Sequence, residues 1–304
     1  MTGQAPSSVV LVRPHQFRPN PLTASDNAFQ HHLAASDTEV ARRARAEVCG
    51  LADVLIAAGV EVTVFEDEGR ATPDSVFPNN WLSTHADGTL ALYPMYAANR
   101  RAERRTDVVE HLQRHFAVHR MLDWSSAEQE GRFLEGTGAM VLDHGARVAY
   151  ACRSRRLDAD LFAEVCADLG YAPLLFDAAD RRGMPVYHTN VLMSVGTEVA
   201  LMGSEMIRDH AQRDAVLGSL RESGREVVEL SEIQVQGFLG NCLEVTGREG
   251  RCLVMSTRAA GQLSPGQRRA IERSCRILTT PVPTIEAAGG SVRCMIAGIH
   301  LPPR

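Results

Sequence analysis

The chain has 304 residues, of which 44% are hydrophobic and 23% charged, with a net charge of -5 and a pI near 6.1. Such values belong to a globular chain able to bury one large core or two modest ones. The acidic balance, with no basic cluster interleaved with aromatics, speaks against nucleic acid as a partner. No run approaches the ~18 consecutive apolar residues of a membrane span, and Met1-Thr2-Gly3-Gln4-Ala5-Pro6 lacks a basic-then-apolar signal pattern. The cytoplasm is therefore the expected location.

Seven cysteines, an odd number with no Cys-x-x-Cys pair, argue against a disulfide framework and a zinc knuckle. Most read as small buried hydrophobes, which leaves room for one reactive thiol.

In chain order, residues 9–13 form an apolar strand. A helix follows over residues 38–58, with Val40, Ala44, Val48, Leu51 and Leu55 at helical spacing and Gly59 as its stop. Residues 60–65 read as a strand. The same helix-then-strand pattern recurs over residues 101–115 and 117–122, 158–169 and 173–176, 207–223 and 226–230, and 264–276 and 278–282. The helix ends at Gly59, His115, Gly170, Gly224 and Ile277 lie 56, 55, 54 and 53 residues apart. Hairpin signals separate the units: Ala86-Asp87-Gly88, Asp143-His144-Gly145, Gly196-Thr197 and Gly247-Arg248-Glu249-Gly250.

Each unit thus reads strand, turn, strand, helix, strand. Units of this size cannot bury their own apolar faces and are expected to pack on one another. Five of them can close into a ring, with residues 295–299 completing the unit begun by residues 9–13. The whole chain, residues 1–304, is then expected to be one α/β domain.

A second periodicity concerns chemistry. Counting back from Cys294 reaches Asn241, His188, Glu135 and Asn80 at intervals of 53, 53, 53 and 55 residues. Each precedes the first hairpin strand of its unit, so a closed ring would bring them together at one end of its axis. Cys294, entered through Gly289-Gly290, is suited to attack an electron-poor carbon. His188, in Tyr187-His188-Thr189-Asn190, can give and take a proton. Glu135, in Glu135-Gly136-Thr137-Gly138, can orient His188 and accept from a substrate N–H, with glycines permitting close backbone approach. Asn79 and Asn80, in Phe77-Pro78-Asn79-Asn80-Trp81, can donate to a carbonyl and accept from N–H, although the segment also reads as plain turn chemistry after Pro78. His111, His115 and His119 have metal-like spacing but no accompanying carboxylates, and read as a solvated helix face. No phosphate-binding glycine loop or Gly-x-Ser-x-Gly elbow is present.

Taken together, Phe77-Pro78-Asn79-Asn80-Trp81, Asn99-Arg100-Arg101-Ala102-Glu103-Arg104, Glu135-Gly136-Thr137-Gly138, Tyr187-His188-Thr189-Asn190 and Gly289 to Met295 resemble the guanidino-group-modifying, or pentein, superfamily. Within it they look most like the citrulline-utilisation hydrolases. The resemblance covers essentially the whole chain and implies a five-bladed α/β-propeller. Where arginine deiminases carry Phe-x-x-Asp and His-x-Asp, this chain has Asn80 and Asn190. An amide pair suits a neutral ureido group, whereas paired carboxylates suit a cationic guanidinium.

The resemblance implies a hydrolase of citrulline with Cys294 as nucleophile, His188 as acid and base and Glu135 as orienting carboxylate. Asn80, Asn190, Asn79, Arg100, Arg101 and Asn27 are the substrate-contact candidates, with Arg100 or Arg101 clamping the α-carboxylate. No metal or organic cofactor is required. The expected partner is a small amino-acid substrate, with no nucleic acid and no membrane; a homo-oligomer is compatible with the sequence. Arginine dihydrolase, deiminase, dimethylarginine hydrolase and amidinotransferase activities remain open, as does a non-catalytic binding or assembly role.

Overall fold

The structure is a computed structural model that describes residues 3–304. Its strands form five three-stranded sheets of one pattern. In the first, β1 (Ser8–Pro14) lies between β2 (Glu61–Asp67) and β15 (Ala297–Ile299). Val9 pairs with Val62 in a parallel ladder and with Gly298 in an antiparallel one, so the two ends of the chain share a sheet. The second sheet holds β3 (Leu82–Thr84), β4 (Thr89–Leu92) and β5 (Arg120–Asp123). The third holds β6 (Met140–Asp143), β7 (Val148–Cys152) and β8 (Ala172–Phe176). The fourth is β9 (Met193–Val195), β10 (Val199–Met202) and β11 (Glu226–Glu229), and the fifth β12 (Leu243–Gly247), β13 (Gly250–Ser256) and β14 (Arg276–Thr280).

In every sheet the central strand pairs antiparallel with one neighbour and parallel with the other. A parallel return needs a crossover, and each unit supplies one helix for it: Asp37–Ala57, Thr106–His115, Ala159–Leu169, His210–Glu222 and Pro265–Glu272. Local sequence fixes their ends. Ser36, Asp158, Asp209 and Ser264 each accept a backbone N–H of the first turn, and Ser264 forms a reciprocal box with Gln267. The helix 37–57 buries Val40, Ala44, Val48, Leu51 and Leu55, the face expected from its spacing.

Burial orients the sheets. The strands β3, β4, β6, β9 and β10 are buried throughout, whereas the outer strands β5, β8, β11 and β14 are largely exposed or half-buried. Inner strands of different sheets touch one another: β15 meets β3, β6 meets β9, and β9 meets β12. Among the described residues no helix is long and apolar enough to cross a membrane.

One element differs from expectation. The helix expected over residues 101–115 is broken into a 3-10 turn, Ala98–Glu103, and the helix Thr106–His115. Arg104 between them is extended, at φ -68° and ψ 96°. Upstream of the break Arg100 and Glu103, three residues apart and so on one side of the 3-10 turn, both face the interior and are fully buried. The fourth helix begins at His210 rather than at residue 207, because Asp209 caps it after a separate turn, Ser204–Met206.

Candidate active site

The five periodic residues all sit on short helical turns that feed the inner strands. Asn80 ends the 3-10 turn Pro78–Asn80. Glu135 caps the single turn Gly136–Ala139, and His188 caps Thr189–Leu192. Asn241 follows the turn over residues 237–240, and Cys294 lies within the turn over residues 292–295. All five are at most 2% exposed. Buried polar side chains require partners: His188 pairs with Glu135 and Asn241 with Cys294, whereas Asn80 bonds Asn79 and Arg100.

The Cys294 sulfur receives two side-chain amides, that of the periodic Asn241 through Nδ2 at 3.2 Å and that of Asn190 through Nδ2 at 3.3 Å. Asn241 is fixed in turn: its Nδ2 also donates to the Asn190 carbonyl at 2.8 Å, and its Oδ1 accepts from the backbone N–H groups of Arg293 and Cys294 at 3.1 and 3.4 Å. His188 Nε2 lies 2.8 Å from Glu135 Oε2. A carboxylate acceptor there puts the ring proton on Nε2 and leaves Nδ1 as the basic nitrogen of the neutral ring. Burial lowers the His188 pKa to about 4, against the opposing pull of Glu135. Burial alone would raise the Glu135 carboxyl, but the charges of Arg156 and Arg100 and the His188 hydrogen bond hold it well below the usual carboxylate range.

Two arginines complete this centre. Arg100 Nη1 donates to Asn80 Oδ1 at 3.0 Å and to Glu135 Oε2 at 3.3 Å, while its other nitrogens grip Glu103. Arg156 Nη1 lies 3.4 Å from Glu135 Oε2, and its fork holds Asp26 at 2.9 and 3.1 Å. Asp74 Oδ2 accepts from Asn20 at 2.8 Å, whereas its buried Oδ1 has no hydrogen-bond partner among the described residues.

These groups line a small cavity, walled by Asn80, Asp74, Arg100, Arg156, His188 and Cys294. The segment between β1 and the first long helix covers it through Thr23 and Asn27. Asn27 Nδ2 donates to the Ala288 carbonyl at 3.4 Å. Gly289, at φ +87°, permits this approach, since a Cβ there would lie 2.3 Å from Asn27 Nδ2.

Of the residues singled out in the sequence, Cys294, His188, Asn80, Arg100 and Asn27 line the cavity, and Glu135 and Asn190 bond directly to its walls. Asn79 is buried beside it, with Oδ1 accepting from Asn80 at 3.2 Å. Arg101 does not enter: it packs 5.9 Å from the Phe133 ring centroid, and its Nε lies 3.4 Å from Glu128. Sequence reasoning gave no role to Asp74, Arg156, Asp26 or Glu103. Asp74 stands in the same segment as Asn80 and could have been weighed there; Arg156 and Asp26 carry no spacing signal, being joined only by the fold.

A buried cysteine, an imidazole held by a carboxylate, and paired arginines on the turns of five repeated small sheets define the class of the pentein superfamily of guanidino-modifying enzymes. Within it, the chain belongs to the family described as N,N dimethylarginine dimethylhydrolase, eukaryotic, whose sequence model matches residues 13–301. It is a hydrolase of carbon–nitrogen bonds. No curated protein matches the sequence significantly. Similar solved structures include the N-terminal domain of ArgZ bound to substrate, an arginine dihydrolase from the ornithine-ammonia cycle in Cyanobacteria, at 16% identity and a TM-score of 0.73, covering 97% of this chain and 99% of that one. Unliganded AgrE is similar at 17% identity and a TM-score of 0.74, covering 98% of this chain and 40% of that one. The dimethylarginine hydrolase of Pseudomonas aeruginosa, complexed with citrulline, is similar at 15% identity and a TM-score of 0.63, covering 97% and 99%. At these identities the likeness is one of fold.

Proposed function

We propose that the chain hydrolyses the ureido group of citrulline to ornithine, ammonia and carbon dioxide, in a single domain whose five sheets are the blades of an α/β-propeller around the cavity. The observation that carries this reading is the charge at the reacting end. Cys294 faces two amides, and Glu135 Oε2 is already shared by Arg100, Arg156 and His188. A neutral ureido group fits such a place without bringing a further cation beside two arginines.

The His188 imidazole, neutral near pH 7, takes the thiol proton as Cys294 attacks the ureido carbon. The same proton goes to the departing nitrogen, which leaves as ammonia, and the carbon remains on sulfur as an S-linked thiocarbamate. His188 then takes a proton from water as the hydroxyl adds to that carbon, and the thiol leaves. The N-carbamate so formed loses carbon dioxide to give ornithine. Amide donors from Asn190 and Asn241 stabilise negative charge on sulfur, and Asn80 addresses the ureido group. At the other end the free Asp74 Oδ1 is available to the α-ammonium group. Of the two adjacent arginines expected at the α-carboxylate, Arg101 points away from the cavity and Arg100 is held at the reacting end by Asn80, Glu135 and Glu103.

A second reading has a specific observation behind it. The Arg100 guanidinium rests on Asn80 and Glu135 at 3.0 and 3.3 Å, so this pair tolerates a guanidinium, and ArgZ is an arginine dihydrolase. Arginine would then pass through both hydrolyses, with citrulline as the intermediate. End-point incubation with citrulline and separately with arginine, scoring ornithine, citrulline and ammonia against a Cys294→Ala control, separates the two. Ornithine from citrulline alone supports the first reading, and ornithine from arginine the second. Ornithine formed equally by the Cys294→Ala protein would remove the central role of the thiol.

A further inference from the structure

Arg293 and Cys294 are neighbours in the chain but face different cavities. Cys294 faces the one described above; Arg293 faces a second, a narrow pocket that runs along the inner strands through Thr84, Leu142, Ser194 and Gly298. Its lining holds Arg293, His144 and His300, the rings of the two histidines 4.1 Å apart, and no aspartate or glutamate. Arg293 Nη1 donates to the Ile296 carbonyl at 3.0 Å, and among the described residues no carboxylate pairs with it. By contrast the buried arginines Arg100, Arg156 and Arg225 each grip a carboxylate, whereas Arg293 is half-buried. A guanidinium facing a cavity without a counter-charge, among hydroxyl and imidazole groups, is the chemistry of an anion site. Burial holds the Arg293 pKa down to about 10, which an anion in the cavity would reverse.

We propose that this second cavity binds a small oxyanion on Arg293, and that its occupancy tunes Cys294. The connection is short. The backbone N–H groups of Arg293 and Cys294 both donate to Asn241 Oδ1, and Asn241 Nδ2 donates to the Cys294 sulfur. A shift of Arg293 toward an anion is therefore felt at the amide that positions the thiol. The tuning rests on the role assigned to Cys294 above; the binding does not. Phosphate and bicarbonate share the required chemistry, and bicarbonate is the hydrated form of the carbon dioxide released in the proposed reaction.

Calorimetric titration of the intact protein with phosphate and with bicarbonate, at constant chloride, tests the site without requiring turnover. Saturable binding is expected, weakened about tenfold or more by Arg293→Gln and much less by Arg293→Lys, and unchanged when citrulline fills the neighbouring cavity of Cys294→Ser. Tighter binding of bicarbonate would mark a product site, and tighter binding of phosphate a site for an external anion. His300→Gln serves as the second variant should Arg293→Gln fail to fold. No saturable binding, binding indifferent to the variants, or binding displaced by citrulline would overturn the site. The iodoacetamide labelling rate of the Cys294 peptide, followed by mass spectrometry, is expected to change on saturation; an unchanged rate would overturn the tuning. Absence of ornithine formation alone would count against the citrulline reading and leave the anion site standing.

Discussion

At Glu135 a single carboxylate oxygen serves three donors, so the balance between guanidinium and ureido recognition turns on its neighbours. Asn80 contributes an amide where a carboxylate would draw a second cation. Asn80→Asp is expected to raise kcat/KM for arginine relative to citrulline by about tenfold or more, a change of about 1.4 kcal/mol in discrimination. Steady-state rates on both substrates measure it, and an unchanged ratio would mean that the amide is not the discriminator. At the nucleophile, Cys294→Ser keeps the volume and the amide contacts but loses the thiolate. Turnover is expected to fall by about a thousandfold or more, with circular dichroism and the unfolding midpoint near those of the parent. Retained activity would remove the thiol from the mechanism.

The short turns before the inner strands are the elements that make the site, and their tolerance is narrow. Gly138 lies in the turn that Glu135 caps. A Cβ there would fall 2.2 Å from Asn80 Nδ2 and 2.9 Å from the His188 ring. Gly138→Ala must therefore push apart two groups whose spacing sets the chemistry. Overpacking of this kind costs about 1–3 kcal/mol of stability, and displacement near 1 Å costs about a hundredfold in rate. Urea unfolding and kcat measured together would show both; normal kcat would mean that the two turns yield without moving the reacting groups. Other elements carry less chemistry. His111 and His115, which share metal-like spacing, stack on each other at 4.1 Å on the helix Thr106–His115, and no metal-holding cluster occurs among the described residues.

Across the whole molecule, buried imidazoles tie stability to pH. Burial lowers His85 to about 3, and His188 and His300 each to about 4, from an ordinary 6.5. Between those values and 6.5 the unfolded chain binds more protons than the folded one, so unfolding becomes easier as pH falls. Thermal or urea unfolding is expected to show stability that declines as pH falls from about 6.5 toward pH 4. A flat profile through that window would show these rings to be reached by water in the folded state.

The repeat, its strand and helix order and the phase of Cys294, Asn241, His188, Glu135 and Asn80 were legible in the sequence, because periodic burial and capping are local demands that recur with each unit. The turns carrying those residues were visible only as positions before a strand. What the sequence could not supply were partnerships set by long-range packing: Arg156 with Asp26 and Glu135, Asp74 with Asn20, and Asn241 with the sulfur of Cys294. The break after Glu103 is of the same kind. Helical spacing favours continuing through residues 101–115, but the chain turns extended at Arg104, whose guanidinium pairs with Glu128. Tertiary structure decides such cases because an interior charge must meet its counter-charge wherever the fold brings one.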